Sequence, residues 1–219
     1  MNKKIKIDIY SDYVCPFCYM GKTNLYNAIR ELKMEDQVEI NFKTYQLDEN
    51  AKIDNHKTKY DSIVENSEKP IEITIAEIKE IEEQAKDIGL DYNYDIMLTA
   101  NTKKAHKLTK YASIKGKQKE FVDMVMQMYF TNGANLNSDE QLVEMVEKVG
   151  LDIREAEEVL KTDKFEDEIA KDKYDAFQYQ VKSVPFFIFE DRYGAPGKQN
   201  KEVFIEALQK IKEFNKENH

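Results

Sequence analysis

The sequence of 219 residues contains only two cysteines, four prolines, seven glycines and no tryptophan. Two cysteines are too few for a disulfide scaffold of the kind that stabilises small secreted domains. Glycine and proline are also too rare for a collagen-like or low-complexity chain. Apolar residues nevertheless make up 41% of the chain, which is enough to form a hydrophobic core. We therefore expect a folded globular protein with reduced cysteines.

Long apolar runs and clusters of basic residues are missing as well. No window approaches the roughly 18 consecutive apolar residues that a membrane-spanning helix needs, and charges interrupt the apolar residues near the N-terminus, where a signal peptide would be continuous. The 42 acidic residues outnumber the 33 basic ones, giving a net charge of -9, which disfavours the phosphate backbone of a nucleic acid as a partner. The composition predicts a cytoplasmic protein whose partners are neither nucleic acids nor membranes.

Hydrophobic periodicity predicts a strand, a helix and a second strand at the start of the chain. Apolar and polar residues alternate over residues 3–10 and again over 37–47, a period of two that is typical of strands. Apolar residues at helical spacing indicate a helix over residues 15–34. Two strands joined by a helix form a βαβ unit, which is normally parallel and right-handed.

The middle of the chain differs, because its patterns predict a series of helices and no strand. Residues 48–70 are polar, and the segments Thr74-Ile-Ala-Glu77 and Ser138-x-x-Gln141 have the form of capping boxes that begin helices. Strand patterns return near the end of the chain. There we predict two short strands and a final helix, over residues 184–189, 193–196 and about 200–214.

The two groups of strands are expected to share one sheet, because neither group alone offers enough strands to cover a core. This predicts an α/β fold in which an all-helical domain interrupts a sheet domain. We assign residues 1–55 and 163–219 to the sheet domain and residues 56–162 to the helical insertion.

Both cysteines belong to one motif, Cys15-Pro16-Phe17-Cys18. The motif follows a predicted strand and opens a predicted helix, where unpaired N–H groups and the helix dipole stabilise a thiolate. Pro16 suits the first turn of that helix, because its missing N–H would have no partner there. We expect Cys15 to be the exposed nucleophile and Cys18, one turn further, to resolve a mixed disulfide.

Two other interpretations of the cysteines are weaker. A zinc site needs three or four protein ligands. Besides the two cysteines, the remaining candidates are only the histidines His56, His106 and His219. A pair of inert buried cysteines would be more typical of a core stripe than of a helix start. A cysteine pair of this spacing beside a βαβ pattern is typical of a thioredoxin-like redox dithiol. We therefore predict no metal and no cofactor other than the redox-active disulfide itself.

Val184 and Pro185 open a predicted strand, a place where proline is tolerated because it cannot donate to a sheet. A cis peptide bond at Pro185 would let the backbone of Val184 face the dithiol and pair with an extended substrate. Phe186 and Phe187 point to opposite faces of the strand, and we expect one of them in the core and the other, with Phe186 as the candidate, nearer the cleft.

These segments together resemble the DsbA-like branch of the thioredoxin superfamily, and within it the FrnE-like subgroup. The similar segments run nearly end to end: Asp8-Ile-Tyr-Ser-Asp12, Val14-Cys-Pro-Phe-Cys-Tyr-Met-Gly-Lys22, Tyr45-Gln-Leu-Asp48, Asn101-Thr-Lys-Lys-Ala-His106, Tyr129-Phe130 before Gly133, Ser183-Val-Pro-Phe-Phe187 and Tyr193-Gly-Ala-Pro-Gly-Lys-Gln199. The resemblance implies a thioredoxin fold, with a central mixed β-sheet flanked by helices and a large helical insertion. It also implies thiol-disulfide exchange and a cis proline at Pro185.

The chain departs from this subgroup at several positions. Phe17 stands where the subgroup usually has tryptophan and periplasmic DsbA proteins have histidine, so we expect Cys15 to be less acidic than in a periplasmic DsbA. Pro196 and Lys198 replace residues that are more often small and polar, or alanine. Related isomerases of 2-hydroxychromene-2-carboxylate and kappa-class glutathione transferases typically carry serine in place of the first cysteine, whereas this chain has Cys15.

The sequence thus favours a thiol-disulfide oxidoreductase that acts on a protein or a small thiol or disulfide, with glutathione as a candidate co-substrate. A glutathione-dependent isomerase or transferase, and a chaperone or binding module without turnover, remain as alternatives. His106 is a candidate for the cleft, although packing within its predicted helix is the simpler interpretation. Either a monomer or a homodimer is compatible with the sequence.

Overall fold

The structure of the protein is a computed structural model that describes residues 4–51, 53 and 56–217. The described residues form four strands and nine helices. In chain order these are β1 (Ile5–Ser11), α1 (Pro16–Glu31), β2 (Val38–Thr44), α2 (Lys59–Asn66), α3 (Ile71–Asp87), α4 (Lys103–Ile114), α5 (Gln118–Asn132), α6 (Asp139–Lys148), α7 (Ile153–Lys161), α8 (Glu166–Gln178), β3 (Phe186–Phe189), β4 (Tyr193–Pro196) and α9 (Lys201–Glu217). The predicted order of strands and helices is confirmed except for helix α2, which was not predicted.

The four strands form one mixed sheet in the order β2-β1-β3-β4. Strands β1 and β2 are parallel, as expected of a βαβ unit, whereas β3 is antiparallel to both β1 and β4. Ile7 and Ile9 on the central strand β1 are fully buried. The strands from the two ends of the chain therefore share one sheet, as predicted, and the fold is of the thioredoxin type.

Aromatic side chains pack the last helix, α9, onto the interior strand β3. The Phe204 ring of α9 is fully buried and lies 4.8 Å from the Phe187 ring and 6.4 Å from the Phe189 ring, measured between centroids. Both strand residues belong to β3, so α9 fixes the strand that follows the Val184-Pro185 segment. By fixing β3, the packing of α9 also helps to position the Val184-Pro185 segment that precedes this strand.

The chain divides into two compact units, one formed by Met1–Tyr45 with Lys173–His219 and the other by Gln46–Asp172. We expected the boundaries after residues 55 and 162, so the helical unit takes about ten more residues at each end. At the first end the Asn101 amide donates to the Glu49 carbonyl over 3.0 Å. At the other end Lys110 of α4 pairs with Asp172 of α8. Residues 54 and 55, at the expected first boundary, lie outside the described residues.

Two local predictions in the helical unit were wrong. Helix α3 begins at Ile71 after Pro70, so Thr74 lies inside the helix, where it is buried and its hydroxyl lies 2.7 Å from the Ser67 hydroxyl. Helix α2 was not predicted at all. It begins with a capping box between Thr58 and Asp61, a signal present in the sequence. Ser138 does cap α6, as predicted, because its hydroxyl accepts the N–H of Gln141 over 3.3 Å.

Among the helices of the described residues, none combines the length and the hydrophobicity that crossing a membrane would require.

Candidate active site

The dithiol lies at the junction of β1 and α1. Cys15 is the N-cap residue of α1 and Pro16 occupies the first turn. The N–H of Cys15 donates to the Asp12 carbonyl over 3.3 Å, and the N–H of Cys18 donates to the Cys15 carbonyl over 3.1 Å. These two turns place both cysteine side chains at the N-terminus of the helix, where the sequence predicted them.

Both cysteines are free thiols in this structure and both are buried, with 3% of Cys15 and 1% of Cys18 exposed. The expectation that Cys15 is exposed was therefore wrong. The reason is a contact distant in sequence, since the Cys15 thiol donates a hydrogen bond to the Val184 carbonyl over 3.6 Å. Phe17, which separates the two cysteines, is instead the exposed residue of the motif at 37%.

The two thiols differ in acidity. The pKa of Cys15 is lowered, chiefly because the Cys18 thiol donates a hydrogen bond to its thiolate, and the N–H groups of Cys18 and Phe17 act in the same direction. Burial and the negative charge of Asp12 oppose this shift. The pKa of Cys18 is raised well above its ordinary value, first by burial and then by its interactions with Cys15. Of the two thiols, Cys15 is therefore the one that ionises more readily, and Cys18 is the one that keeps its proton longer.

The Val184-Pro185 segment faces the dithiol. The peptide bond between these residues is cis, and both residues are buried. The Val184 carbonyl accepts from Cys15, while the Pro185 carbonyl accepts the N–H of Gly197 over 2.8 Å. The structure thus brings together the two segments that the sequence singled out, although 169 positions separate Cys15 from Val184.

Gly21 is a residue of the site whose role the sequence did not reveal. A Cβ atom at Gly21 would lie 3.0 Å from the Pro185 side chain, 3.1 Å from the Cα of Lys198 and 3.1 Å from the Phe187 ring. Only a glycine lets the second turn of α1 approach these three residues so closely. Gly21 belongs to the segment of residues 14–22, which resembles the DsbA-like family, and that resemblance was the sequence signal that could have identified it.

Lys198 is a second residue whose contact with the dithiol motif the sequence did not predict. Its ammonium lies 5.7 Å from the centroid of the Phe17 ring, which is a cation-π distance. The sequence had marked Lys198 as a departure from the FrnE-like pattern, but it did not indicate which residue the lysine contacts.

The other candidate residues take different places. The Phe187 side chain is buried, whereas Phe186 is partly exposed and lies against Gly194 of β4, whose Cβ would meet the Phe186 ring at 2.8 Å. His106 is buried in α4 and belongs to the helical unit, whereas the dithiol belongs to the sheet unit. Burial within α4 is consistent with packing for His106, and the Phe186 ring packs against β4; the place of both residues in the cleft stays a prediction.

The described residues contain no group of three or more histidine, cysteine, aspartate or glutamate side chains arranged to hold a metal ion. His56 is exposed and precedes α2, while His106 is buried in α4. His219 lies outside the described residues. The candidate site consists of the dithiol and the segments that contact it, such as Val184-Pro185.

Comparison with known proteins agrees with this geometry. The profile of the DSBA-like thioredoxin domain family matches residues 6–209. The uncharacterised protein YwbO of Bacillus subtilis (strain 168) is 26% identical over 208 residues, covering 93% of this chain and 96% of YwbO. The crystal structure of a probable DsbA oxidoreductase from Streptomyces coelicolor superposes with a TM-score of 0.88 at 29% identity, covering 94% of this chain and 89% of that one.

A more distant likeness concerns the fold alone. The structure of the cytosolic disulfide reductase DsbM from Pseudomonas aeruginosa with GSH has a TM-score of 0.66 at 11% identity, covering 94% of this chain and 98% of that chain. The family profile spans nearly the whole chain, including the dithiol, the Val184-Pro185 segment and the helices between them. The chain therefore belongs to the family of DSBA-like thioredoxin domains.

Proposed function

We propose that the protein is a thiol-disulfide oxidoreductase in which Cys15 is the nucleophile and Cys18 the resolving thiol. One observation carries this proposal, namely that two cysteines at the N-terminus of α1 face the cis Val184-Pro185 segment, with the Cys15 thiol hydrogen-bonded to the Val184 carbonyl. The lowered pKa of Cys15 and the raised pKa of Cys18 support a division of roles between the two thiols. A nucleophile must be a thiolate at working pH, whereas a resolving thiol must stay protonated until the mixed disulfide has formed. Burial and mutual hydrogen bonding divide these two roles between Cys15 and Cys18.

The reaction in the reducing direction has two steps. The Cys15 thiolate attacks one sulfur of a substrate disulfide, forming a mixed disulfide and releasing the other sulfur as a thiolate. Cys18 then loses its proton and attacks the Cys15 sulfur, which forms the Cys15-Cys18 disulfide and releases the second substrate thiolate. Two electrons pass from the dithiol to the substrate, which leaves as two thiols. The reverse sequence oxidises a substrate dithiol.

Val184 and Pro185 would position the substrate beside Cys15. Within the described ranges no hydrogen bond of the Val184 N–H is found, so this donor is available to the backbone of an extended substrate. The adjoining carbonyl already faces the Cys15 sulfur. A substrate strand that pairs with Val184 would place its own cysteine next to Cys15, because neighbouring strands lie about 5 Å apart.

The redox partner is proposed to be a small thiol such as glutathione, with proteins or small molecules as substrates, in a reducing cytoplasm. The scarcity of cysteine supports the reducing compartment, and the fold shared with DsbM, whose structure contains GSH, supports glutathione as the thiol. No cofactor besides the dithiol is required, since the two cysteines carry both electrons. Pro16 and Phe17 would modulate the reactivity of the dithiol, because they separate the two cysteines in the chain and form the first turn of α1.

The experiment that tests the proposal is thiol-disulfide exchange with insulin as substrate and glutathione as the redox couple. Wild-type protein should reduce insulin or, at an oxidising glutathione ratio, oxidise a peptide dithiol. The Cys15→Ser variant should lose both reactions, whereas Cys18→Ser should accumulate a mixed disulfide with the substrate. A glutathione-dependent isomerase or a holdase would keep its activity without the Cys15 thiol. Exchange that persists in Cys15→Ser would contradict the proposal.

The same glutathione mixtures give the direction of the reaction. The fraction of oxidised protein is measured by trapping free thiols at a series of glutathione ratios, and the midpoint yields the reduction potential. A midpoint near that of thioredoxin would indicate a reductase, and a much higher one an oxidase or an isomerase.

A further inference from the structure

The segment that joins β4 to α9 is held by hydrogen bonds to Pro185 and to Asn24 of α1. Its first residue, Gly197, donates its N–H to the Pro185 carbonyl over 2.8 Å. Two residues further on, the Gln199 carbonyl accepts a hydrogen bond from the Asn24 amide over 2.7 Å. Lys198 lies between these two anchors, with its Cα 3.1 Å from where a Cβ on Gly21 would be. The backbone position of Lys198 is therefore set by contacts on both sides.

The side chain of Lys198 extends towards the dithiol motif. Its ammonium lies 5.7 Å from the centroid of the Phe17 ring, and Phe17 is the residue between the two cysteines that is most exposed, at 37%. Lys198 itself is partly exposed. The cation thus lies beside the exposed ring that separates the two cysteines.

Comparison with Lys22 of α1 shows what distinguishes Lys198. Lys22 also lies over aromatic rings, 4.7 Å from the centroid of Tyr19 and 5.2 Å from that of Tyr26, but only 3% of Lys22 is exposed. A buried ammonium cannot contact an incoming solute. Lys198 offers its charge at the surface, in a chain whose net charge of -9 would otherwise repel anions.

We propose that Lys198 is a specificity-determining residue that favours thiols and disulfides carrying carboxylates over neutral ones. This inference rests on the function proposed above and names its substrate class. The ammonium would bind a substrate carboxylate while Cys15 attacks the disulfide, and the exchange itself follows the two balanced steps already described. Glutathione carries such carboxylates, and so does an acidic peptide around a cysteine.

The test compares disulfides of different charge with the reduced protein. Rates of dithiol oxidation are measured under second-order conditions with glutathione disulfide, with the neutral 2-hydroxyethyl disulfide and with the cationic cystamine. Lys198→Gln is expected to slow the reaction with glutathione disulfide by about fivefold, the upper range for a partly exposed ion pair. The neutral disulfide should react unchanged, and cystamine should react as fast or faster. Lys198→Arg, which keeps the charge, should retain most of the preference.

Lys210→Gln provides the matched control, because Lys210 is an exposed lysine of α9 that pairs with Glu206 over 3.8 Å. It removes the same charge and should leave all three rates unchanged. High salt should reduce the preference of the wild type for the anionic disulfide, since screening weakens exposed charge pairs. A symmetrical disulfide of a cysteine peptide flanked by glutamates is a fourth substrate. A larger effect of Lys198→Gln on either carboxylate-bearing disulfide supports the proposal and identifies the source of the carboxylate.

Equal slowing of all the disulfides in Lys198→Gln would overturn the proposal, because it would mean that Lys198 acts on the dithiol itself. Unchanged rates with every disulfide would overturn it as well. A wild-type protein that reacts with none of the disulfides would contradict the proposed oxidoreductase function instead. The two failures can therefore be told apart in one set of measurements.

Discussion

The Cys15 thiol donates a hydrogen bond to the Val184 carbonyl over 3.6 Å. This bond exists only while Cys15 is protonated, since a thiolate has no hydrogen to donate. When Cys15 ionises, the carbonyl opposes the new charge and stabilisation comes from the other side, chiefly from the Cys18 thiol. Ionisation therefore exchanges one hydrogen-bond partner for another, and Cys18 decides how easily it occurs.

Cys18→Ala should raise the pKa of Cys15 towards its ordinary value, because alanine cannot donate to the thiolate. Cys18→Ser should raise the pKa less, since a hydroxyl still donates. The measurement is the ultraviolet absorbance of the thiolate as a function of pH, in parallel with the rate of alkylation by iodoacetamide. Below the pKa of Cys15 the alkylation rate should fall about tenfold per pH unit, and this fall should begin at higher pH in Cys18→Ala than in the wild type. Identical titration curves for the wild type and Cys18→Ala would contradict the role of the Cys18 hydrogen bond.

The dithiol motif could be predicted because its information is local. Four consecutive residues, Cys15 to Cys18, sit between a strand and a helix that are each recognised by their own periodicity. The Ser138 cap was predictable for the same reason. Capping signals alone did not suffice, however. The Thr74 pattern was wrong because Pro70 starts the helix earlier.

The burial of Cys15 could not be predicted, because it depends on Val184, which is distant in sequence. The close contact of Gly21 with Pro185 and Lys198 depends on the same tertiary packing. The domain boundaries differ from the predicted ones for a related reason. Side-chain contacts such as that of Lys110 with Asp172 make the start of α8 part of the helical unit. Periodicity reveals elements, whereas these features arise from how elements pack.

The negative charge of Asp12 should keep the pKa of Cys15 higher than it would otherwise be. The Cys18 hydrogen bond lowers the pKa of Cys15, but the charge of Asp12, which is 1% exposed, acts against it. Asp12→Asn removes that charge, so the pKa of Cys15 should fall further. The reduced form then gains stability, and the equilibrium with glutathione should move by about threefold to tenfold towards reduced protein.

The control for this change is Asp36→Asn, in the turn after the far end of α1, which is about 24 Å long. It alters the net charge equally and should leave the equilibrium with glutathione unaltered. If both variants shift the equilibrium alike, the effect belongs to overall charge and the assignment of Asp12 is wrong.

Gly21→Ala should destabilise the protein although alanine is the better helix former. The new methyl group would press on Pro185, on the Phe187 ring and on the backbone of Lys198, each at 3.0 to 3.1 Å. Overpacking of this kind costs about 1 to 3 kcal/mol, and the displaced Val184-Pro185 segment should also slow exchange. Urea unfolding and the initial rate of insulin reduction measure the two effects. Asn27→Ala, at a partly exposed position of the same helix, should be close to neutral in both, and a similar result for Gly21→Ala would refute the close-packing argument.

The pair of Lys110 and Asp172 is the last feature with a measurable consequence. Their side chains are 11% and 4% exposed, so Asp172→Ala would leave a buried ammonium without this carboxylate. Removing one member of such a pair costs about 3 to 5 kcal/mol in free energy of unfolding. Replacing both residues, as in Lys110→Met with Asp172→Leu, removes the charges together and should recover most of that loss. Urea unfolding of the single and double variants completes a double-mutant cycle, and additive losses would show that the two side chains do not depend on each other.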